Sequence, residues 1–248
     1  MAAIAVTTFV APASAQQRAR YIFEGKPVAI SQASQQNGRA AVAIDDPGLG
    51  KLLNELGATV TWQPGERYVL ITTAEPVVVS FAIGDPKYDV GPVAEQASFA
   101  PFVKNGDAYV PLDELLRALD LAPKRDGGDT ILQPQLASID IQSRGGGTKV
   151  VAHAGIPLDA HVVSDDKDKL VIAFDGVGTT LEPDRRVQAN GLRSIDIQTG
   201  GSVRQPRTIV TLSIAPGTSH GPPSTDDQRD FTVAFGSMTN AQPPDQTA

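Results

Sequence analysis

Few side chains in this 248-residue chain have types and spacing that suit chemistry. The strongest pattern is duplicated. Leu136-Ala137-Ser138-Ile139-Asp140-Ile141-Gln142 recurs as Leu192-Arg193-Ser194-Ile195-Asp196-Ile197-Gln198, a shift of 56 residues (136 to 192). Alternate side chains of a strand point to opposite faces, so Ile139, Ile141, Ile195 and Ile197 turn inward. Asp140, Gln142, Asp196 and Gln198 then turn outward. Carboxylates and amides hydrogen-bond sugar hydroxyls, N-acetyl groups or peptide amides. Arg193, Arg204 and Arg207 lie nearby in sequence, and guanidinium groups pair with ligand carboxylates. These seven residues are the candidate binding set; the competing reading is a solvated sheet face.

Catalysis and metal binding have less to work with. The chain has no cysteine, so it has no disulfide, thiolate metal site or cysteine nucleophile. Its three histidines are His153, His161 and His220. No His-Glu-x-x-His pair occurs, whereas a catalytic zinc site takes about three such ligands. The histidines are read as solvated or structural, with His220 in a Pro/Gly/Ser/Asp-rich loop over 216–229. Gly145-Gly146-Gly147 and Gly200-Gly201 do not continue to Gly-Lys-Ser/Thr and read as hairpin loops. Asp165-Asp166-Lys167-Asp168 lacks calcium-loop spacing and reads as an exposed turn. No catalytic residue, metal or cofactor is assigned, and the expectation is a non-enzyme. Acids outnumber bases 28 to 21, for a net charge of −7, which argues against nucleic acid as a partner. No run of about 20 apolar residues exists to form a transmembrane segment.

Residues 2–12 are apolar and Ala13-Ser14-Ala15 supplies a small-x-small cleavage pattern, although no Lys or Arg precedes them. The expectation is a signal peptide at 1–15, a mature chain from Gln16, and a periplasmic or otherwise extracytoplasmic location. A further repeat relates Asn37 to Asp45 (NGRAAVAID) with Asn105 to Asp113 (NGDAYVPLD), so Val42 matches Val110. Each copy runs into leucines at helical spacing: Leu49, Leu52, Leu53 and Leu56 after a five-residue insertion, and Leu112, Leu115, Leu116 and Leu119. Gly57 and a hairpin over Ala58 to Ile71 follow the first; the second hairpin is eroded. The fold class read from this is an α+β repeat domain (strand, short helix, hairpin, used twice) followed by an all-β sandwich. The first domain spans 21–134 and the second 136–236, with the boundary near Gln133-Pro134-Gln135 and a disordered tail at 237–248.

The unit of Asn-Gly, Tyr109-Val110-Pro111-Leu112, a leucine helix and Gly57-Ala58-Thr59-Val60-Thr61-Trp62 resembles the copper amine oxidase-like N-terminal domain. That module recurs in exported bacterial proteins and, despite its name, neither binds copper nor oxidises amines alone. Residues 136–236 resemble an AMIN domain, through the duplicated L-x-S-I-D-I-Q, the Asp168 to Phe174 strand and Arg207-Thr208-Ile209-Val210. Asp168-Lys169 stands where that family usually has proline–arginine. The AMIN resemblance implies a β-sandwich that attaches amidases and pilus secretins to peptidoglycan.

The expected function is therefore a non-catalytic envelope protein that binds peptidoglycan. Two alternatives remain: the targeting portion of an N-acetylmuramoyl-L-alanine amidase lacking its catalytic domain, and a protein-binding adaptor of a type IV pilus or secretin apparatus. Asp46-Pro47-Gly48-Leu49-Gly50 is similar to the Asp-Pro-Gly-His-Gly of zinc-dependent amidases. Leu49 has no lone pair for a metal, so the segment reads as an insertion before a helix. Trp62 and Tyr109 read as core residues.

Overall fold

The computed structural model describes residues 20–236 apart from 37, 76 and 227. The leader expected at 1–15, the tail at 237–248 and Asn37 of the first repeat lie outside the described residues. The first half contains β1 (Arg20–Phe23), β2 (Lys26–Val28), β3 (Gln32–Gln36), β4 (Arg39–Ala43), α1 (Pro47–Glu55), β5 (Thr59–Thr61), β6 (Tyr68–Thr72) and β7 (Val78–Ala82). It continues through β8 (Lys87–Val90), β9 (Val93–Gln96), β10 (Phe102–Lys104), β11 (Asp107–Pro111), α2 (Leu112–Ala118) and β12 (Leu121–Asp126). A long strand, β13 (Asp129–Arg144), leads into β14 (Gly147–Ala154), β15 (Asp159–Asp166), β16 (Lys169–Asp175), β17 (Gly178–Thr179) and β18 (Asp184–Ala189). The last strands are β19 (Leu192–Gly201), β20 (Pro206–Ile214), β21 (Ser224–Asp226) and β22 (Asp230–Phe235).

The described residues are mostly strand, so the expected α+β repeat domain is not what forms. Leucine spacing marks a helix face but not a helix length. The two helices have only nine and seven residues. Left-handed residues follow both, Gly57 at φ +70° and Asp120 at φ +55°. Between the helices, β5-β6-β7-β8-β9 form a five-stranded antiparallel meander where the sequence reading placed one hairpin. The second half is all β.

The repeat nevertheless has a structural counterpart. Hairpins β3–β4 and β10–β11 make one sheet of order β10-β11-β4-β3. At its centre β4 and β11 pair antiparallel with Val42 opposite Val110, the two residues that the repeat itself equates. A local two-fold axis therefore passes between them, and both side chains are fully buried. The helices start differently. Asp46 caps α1, its carboxylate accepting from Leu49 N–H at 2.8 Å and from Ser31 N–H at 3.0 Å. Pro47 occupies the first turn, and a Cβ on Gly48 would lie 2.3 Å from the Ala29 carbonyl oxygen. The amidase-like segment is thus a helix start. Pro111 precedes α2 with no side-chain cap.

The boundary at Gln133-Pro134-Gln135 falls inside β13. Its first part pairs with β1 in parallel and with β12 antiparallel; its second part pairs with β14 antiparallel and β17 in parallel. Pro134 has no N–H to donate to a ladder and sits where β13 exchanges one set of neighbours for the other. One apolar core closes around the first half and ends in sequence at Leu132; the other begins at Leu136. Ile156 packs against both.

The second core lies between β13-β14-β22 and the sheet of order β15-β16-β20-β19-β18. The duplicated heptapeptides are β13 and β19, one in each sheet. Both carry the same irregularity, a register shift between Leu136 and Ser138 in one and between Leu192 and Ser194 in the other. The duplication therefore extends to the bulge.

Candidate functional site

Glycine and register bring four distant acidic or imidazole side chains together where the two cores meet. Glu75 lies on the turn between β6 and β7, whose shape is held by the Thr73 hydroxyl and the Val77 N–H, both donating to the Glu75 carbonyl. His153 and Asp230 are opposite residues of the β14·β22 ladder. Asp120 follows α2 in the left-handed conformation that the first copy gives to Gly57. Gly155 lets β14 approach it: a Cβ there would lie 3.1 Å from Asp120 Oδ2 and 3.3 Å from the Leu119 carbonyl oxygen.

The imidazole of His153 stands between two carboxylates. Its Nδ1 is 2.7 Å from Asp230 Oδ1, and its Nε2 is 3.1 Å from Glu75 Oε2. All three side chains are half-buried, with His153 at 21% exposure. Glu75, Asp120 and His153 line one cavity of about 240 Å³, together with Arg229. Arg229 is anchored by its guanidinium, which donates to the Gly155 carbonyl and, at 3.3 Å, to the Leu56 carbonyl. Burial pushes the Asp120 carboxyl up to about 6; the charge of Glu75 adds to the rise and that of His153 opposes it.

None of these residues belongs to the candidate set read from the sequence. The sequence reads His153 as solvated or structural, and nothing in it singles out Glu75 or Asp230. They are 78 and 77 residues from His153 (153 − 75 and 230 − 153), beyond any local motif. One signal was visible: the repeat places an aspartate at 120 where the other copy has glycine.

The seven sequence candidates do not converge. Asp140 and Gln142 are exposed on β13, and Asp140 accepts from the Ser138 hydroxyl at 3.0 Å. Asp196 and Gln198 are on β19 in the facing sheet. Their isoleucine neighbours all turn to the core between the sheets, so the two polar pairs occupy opposite outer faces. Arg193 is exposed at the β19 bulge. Arg204 reaches across to the β12–β13 turn, pairing with Asp126 at 2.5 Å and Asp129 at 2.7 Å. Arg207 pairs with Asp175 opposite it on β16.

The outer face of the β15-β16-β20-β19-β18 sheet can be read in rows from its register. One row is Ser164, Val171, Thr211, Asp196 and Asp184; the next is His161, Ala173, Ile209 and Gln198. The middle of the face carries Val171, Thr211, Ala173 and Ile209, and the ends are polar. Asp196 Oδ1 is closed off from solvent without a hydrogen-bond partner. His220, read as a loop residue, instead makes a β-bridge to Phe235, with Nε2 2.9 Å from Asp165. Trp62 packs partly buried against the first core, and Tyr109 stacks on Phe102 with ring centroids 5.1 Å apart.

Residues 22–133 match the copper amine oxidase N-terminal domain, a non-catalytic domain. The match ends there and does not enter the second half. A search of curated proteins finds no match. A solved structure of a hypothetical protein from Synechocystis aligns at 14% identity and a TM-score of 0.26. It covers 90% of this chain, which in turn spans only 35% of that one, and a likeness so low carries no argument.

Proposed function

We propose that this is an exported, non-catalytic protein of the cell envelope whose second half binds peptidoglycan. The match of residues 22–133 supports an envelope setting and a non-catalytic first half. The AMIN-type reading of residues 136–236 supplies the ligand class. The observation that carries the reading is the polar edge of this sheet face, where exposed Gln198 and His161 lie one row from half-buried Asp196. Carboxylate and amide oxygens on such a face accept hydrogen bonds, so a ligand rich in donors suits it. The hydroxyl and N-acetyl groups of a glycan, or the amides of its stem peptide, provide such donors, with Gln198 and His161 one row away. Asp140 and Gln142 offer a second strip on the opposite face.

The test is sedimentation of the chain with insoluble peptidoglycan sacculi. A truncation at residue 135 would cut β13 and open the second core, so point variants are the better controls. The chain should sediment, and Asp196→Asn combined with Gln198→Ala should leave it in the supernatant. If the unmodified chain stays soluble at moderate salt, the glycan reading fails and a protein partner of an amidase or secretin assembly takes its place.

A further inference from the structure

We propose that a cleft between the two halves binds a primary alkylammonium group, that of a free alkylamine or of a lysine side chain. The cleft has a volume of about 340 Å³. It lies where β1 and β13 meet the segment 156–159 and the β19–β20 turn. Its floor is apolar. Ile22 and Ile131, opposite each other in the parallel β1·β13 ladder, are buried there with Leu132 and Pro206, and Ile156 is half-buried beside them. An apolar hollow of this size with a few polar groups at its edge is the usual form of a small-ligand site.

The charged groups that line it decide the class of ligand. They are Glu24, Asp159, Asp175 and Arg204. Arg204 already pairs with Asp126 and Asp129, and Asp175 accepts from Arg207 and lies 3.5 Å from His161 Nδ1. Glu24 and Asp159 are exposed, and among the described residues their carboxylates have no ion-pair partner. The cleft therefore offers negative charge beside an apolar floor. An alkylammonium satisfies both, laying its carbons on the isoleucines and its head at the acids, as lysine side chains do along apolar surfaces. An anionic ligand would meet like charge, and a neutral one would leave the carboxylates unused. The walls are fixed without a ligand. Gln133 Nε2 donates to the Val203 carbonyl at 3.2 Å, and Ser202 and Gln205 exchange backbone hydrogen bonds at 3.0 and 3.2 Å. A preformed cleft loses little freedom on binding. Glu24 and Gly25 make the β1–β2 turn at φ +47° and +76°, so the turn carries a carboxylate where asparagine or glycine is less strained.

Amide NMR titration of the full chain tests the proposal, with n-pentylamine, Nα-acetyl-lysine amide and the neutral n-pentanol as probes. Saturable shifts are expected at the amides of Gly25, Ile131 and Gly176 with at least one of the two amines. A response to pentylamine alone assigns a free amine, and a response to the lysine derivative assigns a side chain of a polypeptide. Glu24→Gln combined with Asp159→Asn should weaken amine binding by about tenfold and leave n-pentanol unchanged. Both residues are exposed, so the variant should fold. Asp89→Asn, which removes an exposed carboxylate on β8, should bind as the unmodified chain does. Added salt should weaken the amines and not the alcohol. The proposal is overturned if neither amine gives saturable shifts in the cleft, if n-pentanol binds as tightly as pentylamine, or if the double variant keeps its amine affinity. No sacculi enter the titration, so its outcome is independent of the glycan reading.

Discussion

The two copies of the first-half repeat meet the same geometric problem in opposite ways. After α1 the chain turns through Gly57, which enters the left-handed region without steric cost. After α2 it turns through Asp120, a residue with a Cβ and a charge, in the same conformation and in a partly buried place. The starts of the helices differ in the other direction: α1 has an aspartate cap and a required glycine, while α2 has neither. Copy two thus places a left-handed, charged residue where copy one has glycine, at the edge of a cavity. The departure from the repeat falls at the cavity that Glu75 and His153 also line.

Several substitutions would break or sharpen this comparison. Leu52 and Leu115 are equivalent and fully buried, so changing either to Ala should cost about 2–5 kcal/mol in denaturant unfolding. Unequal losses would show that the two sites in this shared core collapse to different extents around the cavity. Asp46→Ala removes the cap of α1 and should cost about 1–2 kcal/mol, whereas α2 has no cap to remove. Gly57→Ala should cost about 1–2 kcal/mol, because the new Cβ must adopt φ +70° and meets the Ala74 Cβ at 3.0 Å. Asp120→Gly should do the reverse, stabilising the fold by about 1 kcal/mol in the same unfolding measurement. A loss of stability there would show that Asp120 is a structural cap.

The smallest effect concerns the histidines. The pKa of His220 is raised above 6.5: burial of the ring lowers it, but the Gly221 carbonyl and the Asp165 carboxylate favour the charged form and prevail. Its contribution to stability is therefore fully present below pH 6.5 and is lost as pH rises through the higher folded value. Melting temperatures between pH 5 and 8 should decline less for His220→Gln than for the unmodified chain.

Much of the local structure was legible in the sequence because it depends on short-range periodicity. The leucine faces, the Val42 and Val110 equivalence and the inward isoleucines of β13 and β19 all follow from spacing alone. The strand content of residues 59–96 was under-read, since segments such as Lys87–Val90 are too short to carry a period. The junction site was not legible. Its members come from a turn, two strands of one ladder and a helix end, and only the fold makes them neighbours. The polar strips were found, but their distribution over opposite faces depends on how two sheets stack.

The continuous β13 has a mechanical consequence. A flexible linker would let the halves swing and melt one after the other. A single extended backbone laddered to neighbours on both sides of Pro134 acts as a tie-rod instead. Pulling the ends of the molecule apart loads those ladders in shear, where many hydrogen bonds must fail together. For a chain held at one end to a wall and at the other to a partner, that joint would transmit tension rather than yield to it.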